Sequence, residues 1–201
     1  MKYAICCLED ISQEEYALTF SEMQEERKRK VERFMRNADK QRTIAGEYLV
    51  KKLLSTVEDK PLNEIVVASA RNGKPKVLGM PFCISISHSE NMVAAAVSDN
   101  PVGIDLEKIR PVSVSLVQRV CTAKELEYVL QNESYISKEQ VENADVLKRF
   151  FEIWTAKEAC FKCNGGNGKP FTEIETLASE IEKLTPELPG YSVCVVQMKT
   201  S

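Results

Sequence analysis

The chain has 201 residues, of which 43% are hydrophobic and 28% charged, and its formal net charge is −3. These fractions are typical of a globular protein with its own core, and the slight acidity argues against general nucleic-acid binding. No apolar run approaches the roughly 18 residues that predict a membrane span, and the short apolar start is unlike a signal peptide. We therefore expect a cytoplasmic protein without membrane or nucleic-acid partners, whose seven scattered cysteines are reduced thiols.

The first part of the chain predicts a strand followed by helices. Residues 3–8 are strand-like, and capping-box spacing at Ser12 and at Ser21 predicts two helix starts. A charged helix carrying Val31, Phe34 and Met35 is expected next. A second helix is expected from Asp39 to Ser55, and a turn at Asn72-Gly73 follows it.

The remaining elements are predicted by short strand patterns and two helix signals. Three segments of β-branched or small residues predict three neighbouring strands: 82–87, 92–98 and 102–106. Thr122 opens a helix through a further capping box. A strong helix is expected over 147–163, ended by Asn164-Gly165-Gly166, and 191–198 predict a final strand. Cys160 and Cys163 form a CxxC, which is read as two small apolar helix residues rather than as a zinc site.

Two carboxylates alternate along the strand pattern Gly103-Ile104-Asp105-Leu106-Glu107. Asp105 and Glu107 share one face, and the apolar residues share the other. Two adjacent carboxylates repel each other unless a cation neutralises them, and a hard divalent ion such as Mg²⁺ does this well. The alternative is an edge strand with one solvated polar face.

Glu158 lies on the expected long helix in an apolar row with Trp154 and Phe161, where a carboxylate needs a partner. Lys162 follows one turn later. A metal ion is one possible partner of Glu158, and a simple Glu–Lys pair on a helix edge is the other.

Several cationic or hydroxyl-bearing residues could bind phosphate. His88, the only histidine, ends a strand pattern between Ser87 and Ser89, and the ordinary alternative is a hydrogen-bonded surface histidine. Further cations lie on two predicted N-terminal helices and in the turn after Gly73: Arg27, Lys30, Arg42 and Lys74. Clustered Lys and Arg bind phosphate, although a solvated face is the simpler interpretation. Three carboxylates and several cations together suit phosphoryl-group chemistry.

At this point the sequence resembles the larger, surfactin-synthetase-activating type of 4′-phosphopantetheinyl transferase. Gly103 to Glu107 is similar to the family's G-I-D-x-E motif, and Trp154 to Lys162 is similar to W-[ST]-x-K-E-[AS]-x-x-K. Supporting segments occur in the expected order: Arg42-Thr43 with Gly46, Gly73-Lys74-Pro75, and Phe82 to Ser89. The likeness covers roughly residues 20–170.

The resemblance implies an α+β fold of two similar halves in a pseudo-twofold arrangement, with the active site between them. We divide the chain into 1–100, which would contact the 3′-phosphate and nucleotide of coenzyme A, and 101–201, which would carry the magnesium and catalytic motifs. The faint likeness of 46–51 to 157–162 agrees with two similar halves.

The resemblance also implies roles for the matching residues. Asp105, Glu107 and Glu158 would hold Mg²⁺. Glu158 would help deprotonate a serine of an apo acyl or peptidyl carrier protein, and Lys162 would stabilise the pyrophosphate and its leaving group. The remaining matching residues would line the coenzyme A site: Arg27, Lys30, Arg42, Gly73, Lys74, Ser87, His88 and Ser89.

Partner contacts and alternatives to this enzyme activity follow from position and motif content. We expect a monomer that meets its carrier protein after the metal motif, through the start of the helix at Thr122 and four apolar residues: Val112, Val114, Leu116 and Val117. Two other functions stay open. One is a module that binds carrier domains without catalysis, and the other is a metal-dependent enzyme that hydrolyses nucleotides.

Overall fold

The fold was obtained as a computed structural model that describes residues 1–70, 73–131, 139–166, 170–177 and 182–198. It mixes helix and sheet and divides into two compact units, Met1–Val102 and Gly103–Ser201. The pseudo-twofold relation between the halves stays a prediction. Across the described residues, no helix is both long and apolar enough to cross a membrane.

The first unit is built around a long helix on an antiparallel sheet. Its elements are β1 (Lys2–Cys7), α1 (Gln13–Glu22), α2 (Glu25–Glu32), α3 (Asn37–Glu58), β2 (Val67–Ser69), β3 (Pro75–Val77), β4 (Cys83–Ser89) and β5 (Met92–Ser98). The sheet has the order β1-β5-β4, and β2 pairs with β3 in a separate hairpin. Helix α3 packs on the middle strand β5, whose Val93, Ala95 and Val97 join its core.

The helix starts in this unit test the capping predictions. Ser12 caps α1 through a capping box with Glu15, as predicted. The second predicted start, at Ser21, is wrong: Ser21 lies inside α1, and its hydroxyl donates to the carbonyl of Leu18. The charged helix α2 ends at Glu32, so Phe34 and Met35, which were predicted to lie on it, follow the helix instead, and Met35 is 97% exposed.

The second unit repeats the pattern of one long helix on a three-stranded sheet. Its elements are β6 (Val102–Lys108), β7 (Val112–Ser113), α4 (Val114–Val120), α5 (Ala123–Leu130), β8 (Gln140–Val141), α6 (Ala144–Cys163), β9 (Glu182–Leu184) and β10 (Tyr191–Gln197). The sheet order is β6-β10-β9, and α6 packs on the middle strand β10. The prediction that β6 neighbours β4 and β5 is therefore wrong, because β6 pairs with β10.

Among the residues of the second unit that the structure describes, the apolar side chains include two clusters, one on each half of α6. The first joins α4, α5 and the N-terminal half of α6, with Phe150 and Phe151 among its largest residues. The second places small residues of the C-terminal half of α6 against β10, and Cys160 and Cys163 lie in it beside Cys194. The interpretation of the CxxC as apolar helix residues is therefore confirmed.

Candidate active site

Strand β6 presents two carboxylates on one face and apolar residues on the other. Ile104 and Leu106 are fully buried, as the alternation of a strand requires for the inward-facing positions. Asp105 on the opposite face is also buried, at 4% exposure, whereas the side chain of Glu107 is 25% exposed. The exposure of the two carboxylates therefore increases along β6, from Asp105 to Glu107.

Gly103 brings helix α6 against this face of β6. A Cβ atom added at Gly103 would lie 1.8 Å from the carbonyl oxygen of Ala159, so only glycine permits the approach. Gly103 shares its face with Asp105 and Glu107 because side chains alternate along a strand. The contact therefore sets the turn of α6 that carries Glu158 beside the two carboxylates.

Lys162 makes a direct contact between α6 and β6. Its Nζ atom lies 2.6 Å from Oδ1 of Asp105 and donates to the carbonyl of Ile104 at 3.1 Å. The lysine side chain remains 26% exposed, so the ammonium is anchored while still reaching solvent. On the outer side, Nη1 of Arg110 lies 3.3 Å from Oε2 of Glu107.

Glu158 is half-buried and electrostatically coupled to these groups. Burial raises the pKa of its carboxyl, and the negative charges of Asp105 and Glu107 raise it further, against the opposing effect of Lys162. A carboxylate with a raised pKa is a better proton acceptor than an ordinary glutamate. The three carboxylates thus behave as one charge cluster.

The donor set of this cluster fits a hard divalent cation. In the parts of the chain that the structure describes, no three or more His, Cys, Asp or Glu side chains are arranged as a metal site. The three carboxylates nevertheless offer only oxygen donors, which Mg²⁺ prefers, and the repulsion that raises the pKa of Glu158 is what a cation would relieve. By donor type and charge, the residues fit the ion.

In the first unit, helix α3 and strand β4 bring Arg42 and His88 to one side of the sheet. Gly46 makes this possible, because an added Cβ would lie 2.7 Å from Cγ2 of Ile86. His88 follows Ile86 by two residues and so shares its face. Arg42 lies one turn before Gly46, and its Nε atom donates to the carbonyl of Glu90 at 2.6 Å. The predicted phosphate ligands Arg42 and His88 therefore lie on the same side.

The two predicted cations on α2 have different environments. Lys30 is exposed, but Arg27 is only 5% exposed, and its Nε atom lies 2.6 Å from Oε2 of the fully buried Glu47. Burial raises the pKa of Glu47 in spite of the opposing effect of Arg27. The structure thus places Arg27 inside the unit as the partner of a core carboxylate, apart from the exposed Lys30.

The other predicted coenzyme contacts are distributed along β4 and the β2–β3 turn. Ser87 and Ser89 lie on the opposite face of β4 from His88, since strand residues alternate. Gly73 adopts a left-handed φ of 79° in the turn, where its N–H donates to Ala70, and the half-buried Lys74 follows it. The strand therefore does not direct all three of these β4 residues to one site.

Two of the four apolar residues predicted to meet the carrier protein are core residues. Val112 and Val117 are 7% and 2% exposed and belong to the cluster around Phe150. The prediction is wrong for these two, because the turns of β7 and α4 direct them inward. Val114 and Leu116 are only partly buried and remain available for contact.

Both units match family models from the same family. Residues 101–193 match the model described as the 4′-phosphopantetheinyl transferase superfamily, and residues 10–100 match one described as 4′-phosphopantetheinyl transferase, N-terminal. The 4′-phosphopantetheinyl transferase psf-1 of Bacillus pumilus is 33% identical over 175 residues, which are 86% of this chain and 71% of that protein. This chain belongs to the 4′-phosphopantetheinyl transferase family. It is accordingly a transferase.

Further 4′-phosphopantetheinyl transferases are similar over most of the chain. Sfp of Bacillus subtilis (strain 168) is 28% identical over 198 residues, 97% of this chain and 84% of that protein. AcpT of Salmonella typhi is 32% identical over 157 residues, 76% of this chain and 73% of that protein.

One feature of the site in this phosphopantetheinyl transferase was missed by sequence reasoning. Lys157, next to Glu158 in the second motif, is fully buried and lies 2.8 Å from Oε2 of the fully buried Glu125. In the sequence, Glu125 stands out only as the N3 residue of the capping box that Thr122 begins. A lysine flanked by Ala156 and Ala159 on the inner face of a helix was the available signal, since such a lysine needs a buried partner.

Proposed function

We propose that this transferase moves the 4′-phosphopantetheine group of coenzyme A to a serine of an apo acyl or peptidyl carrier protein, with magnesium as cofactor. The other product is adenosine 3′,5′-bisphosphate. The carboxylate–lysine cluster on β6 and α6 supports this proposal most strongly, because Asp105, Glu107, Glu158 and Lys162 lie together around the Gly103–Ala159 contact.

In the proposed reaction, the serine oxygen attacks the phosphorus on the pantetheine side of the pyrophosphate. A new P–O bond forms to serine as the P–O bond to the adenosine-side phosphate breaks, and that phosphate leaves with the bond's electron pair. Glu158 receives the serine proton, directly or through a water molecule. The half-buried carboxylate of Glu158 suits this role, since serine is a weak nucleophile until a nearby base takes its proton.

Lys162 and the strand carboxylates would have different roles at the pyrophosphate of the substrate. The ammonium of Lys162 reaches solvent and would neutralise charge that develops on the leaving phosphate. Asp105, Glu107 and Glu158 would hold the magnesium ion. When bound, that ion supplies charge neutralisation at the pyrophosphate and orients its oxygens.

The first unit would bind the adenosine end of coenzyme A. Lys30 is exposed, and Arg42 lies on the same side of the sheet as His88, so these cations would receive the 3′-phosphate. Arg27, paired with Glu47, would set the position of α2 and so of Lys30. Gly73, Lys74 and Ser89 would line the nucleotide, whereas Ser87 is only 7% exposed on the face of β4 opposite His88.

Product analysis separates this proposal from nucleotide hydrolysis. The protein is incubated with coenzyme A and magnesium, with and without an apo carrier protein, and adenosine 3′,5′-bisphosphate is measured by chromatography. We expect the bisphosphate only when the carrier is present, in a one-to-one ratio with modified carrier. Bisphosphate released at the same rate without carrier would identify a hydrolase instead.

A further inference from the structure

Helix α6 contains a buried ion pair next to the charge cluster. Lys157 and Glu125 are both fully buried, and Nζ lies 2.8 Å from Oε2. The same Nζ atom donates to the carbonyl of Ile174 at 2.8 Å. Lys157 therefore has two oriented acceptors, one on helix α5 and one in the segment that follows α6.

Glu125 is the centre of this network. Its Oε1 atom accepts from the backbone N–H of Thr176 at 3.1 Å and from the Thr176 hydroxyl at 2.7 Å, and Oε2 accepts from the N–H of Thr122 at 2.9 Å. Lys183 on β9 donates to the carbonyl of Thr176 at 2.9 Å. One carboxylate thus joins the start of α5, the middle of α6 and residues 174–176.

Stability alone does not account for such a pair. Burying two charges costs free energy that the pair only partly recovers, and apolar residues of similar volume often stabilise a fold as well or better. An ion pair is directional, whereas apolar packing is not. In this half of α6 the packing residues are small, with Ala156, Ala159 and Cys160 against β10. Small side chains form shallow ridges and restrain the rotation of a helix about its axis only weakly.

The rotation of α6 decides where its functional side chains point. Adjacent helix residues are about 100° apart around the axis, so the inward position of Lys157 turns Glu158 to a neighbouring face. That face approaches β6, because Glu158 is affected by Asp105 and Glu107, and Lys162, one turn on, contacts Asp105.

We propose that Lys157 and Glu125 are positioning residues, which fix the rotation of α6 and so direct Glu158 and Lys162 to the carboxylates of β6. This inference rests on the proposed function above, and it gives the lysine of the second motif a role distinct from that of Lys162. Neither residue contacts the substrate. Both act through the orientation of the helix that does.

The test compares two double variants that each neutralise one ion pair. In Lys157→Met/Glu125→Gln, both charges of the pair in question are removed, so no uncompensated buried charge remains. The matched control is Lys51→Met/Glu22→Gln in the first unit, whose pair has an Nζ–Oε2 distance of 2.9 Å and includes a lysine side chain that is 3% exposed. Neither control residue belongs to the proposed site.

Three measurements are made on each folded variant: kcat for carrier modification, the Kd of Mn²⁺ in the presence of coenzyme A by electron paramagnetic resonance, and the Kd of adenosine 3′,5′-bisphosphate. For Lys157→Met/Glu125→Gln we expect kcat to fall and the Mn²⁺ Kd to rise, each by about tenfold or more, as for residues that orient metal ligands. The bisphosphate Kd should not change. The control should keep all three values within about twofold of the wild type, since its pair does not orient α6.

Wild-type kcat and Mn²⁺ Kd in the Lys157→Met/Glu125→Gln variant would overturn the proposal, as would equal losses in the control. If the variant does not fold, Thr176→Val decides, because it removes only the hydroxyl bond to Glu125. A weakened Mn²⁺ Kd in folded Thr176→Val supports the positioning role, and an unchanged one refutes it. A wild-type protein that modifies no carrier would instead refute the proposed function.

Discussion

Glu47 and Glu158 have similar local sequences but different surroundings. Each is followed by a lysine four residues later on a long helix, and burial raises the pKa of each. Glu47 is fully buried against Arg27, whereas Glu158 is half-buried beside two other carboxylates. Only Glu158 is accessible to a substrate, so the environment rather than the spacing makes it the candidate base.

Replacing Glu158 by glutamine should remove most activity without unfolding the protein. The amide cannot accept the serine proton or carry the ligand charge, so we expect kcat to fall at least about 100-fold. The thermal midpoint should not decrease, since the substitution removes a repelling charge. The control is Glu152→Gln on the same helix, whose amide oxygen can still accept from Tyr128. Near-wild-type turnover in Glu158→Gln would remove this residue from the mechanism.

Alanine substitution should lower stability at Arg27 and ligand affinity at Lys30. Arg27→Ala leaves Glu47 without its partner, so we expect a loss of about 3–5 kcal/mol of stability. Lys30→Ala should leave stability unchanged but raise the Kd of adenosine 3′,5′-bisphosphate, with little effect on a ligand that lacks the 3′-phosphate. Denaturant unfolding and calorimetric titration measure the two effects. A folded Arg27→Ala with wild-type stability would contradict the buried pair.

The pH dependence of stability should differ between Glu125 and Glu47. Burial would raise the pKa of Glu125, but its bonds to Lys157, Thr122 and Thr176 outweigh burial and lower the pKa below its ordinary 4.5. Because the folded value is the lower one, the stabilisation is present above the unfolded pKa and is lost as pH falls through the folded pKa. Glu47 has a raised pKa, so its ionisation disfavours the folded state as pH rises above the unfolded value.

Urea unfolding between about pH 3 and pH 7 tests this difference. The stability advantage of the wild type over Glu125→Gln should shrink as pH falls. Its advantage over Glu47→Gln should instead grow as pH falls. Parallel curves for the wild type and Glu125→Gln over the whole range would show that Glu125 titrates normally.

At the level of elements, glycine sets the distance between helix and strand in both units. Gly103 lies on β6 against the backbone of α6, and Gly46 lies on α3 against a side chain of β4. The close approaches bring Glu158 and Lys162 to β6, and Arg42 to the side of β4 that carries His88. The candidate site residues are thus placed by neighbours that have no side chain.

An alanine at each glycine should have unequal effects. Gly103→Ala meets a carbonyl oxygen at 1.8 Å, and backbone cannot move aside cheaply, so we expect a loss above the usual overpacking range of about 1–3 kcal/mol. Gly46→Ala meets a methyl group of Ile86 at 2.7 Å and gains helix propensity, so its loss should be smaller. Denaturant unfolding of both variants measures the order, and a more stable Gly103→Ala would contradict the packing.

Elements with local signals could be predicted from the sequence. The capping boxes at Ser12 and Thr122 begin helices because their bonds involve residues only three apart. Ser21 has the same spacing but lies within α1, where its hydroxyl donates to the carbonyl of Leu18. Strand order could not be predicted, because the partner of β6 is β10, far along the chain.

The candidate site also contains some residues whose roles could be predicted from the sequence and others whose roles could not. Asp105, Glu107, Glu158 and Lys162 were identified from alternation, an apolar row and family motifs, and the structure brings them together in one unit. The buried role of Arg27 could not be predicted, because a cation in a basic run is ordinarily solvated. Its partner Glu47 lies on another helix, so only the tertiary structure reveals the pair.

At the scale of the whole molecule, the two units have the same plan and different chemistry. Each has a three-stranded sheet with a long helix packed on its middle strand. The first presents Arg42 and His88 on one side of its sheet, and the second presents carboxylates around Asp105. We infer that a substrate with phosphates along its length, such as coenzyme A, suits such a division, with a 3′-phosphate for the first unit and a pyrophosphate for the second.

With the proposed carboxylate–lysine site, this protein would transfer phosphopantetheine to a carrier protein. Intact mass spectrometry of an apo carrier protein, after incubation with the enzyme, coenzyme A and Mg²⁺, tests it most directly. We predict a gain of one phosphopantetheine, about 340 Da, that a metal chelator abolishes. Glu158→Gln should give almost none. An unmodified mass across acyl and peptidyl carriers, or a gain that persists with chelator, would contradict the account.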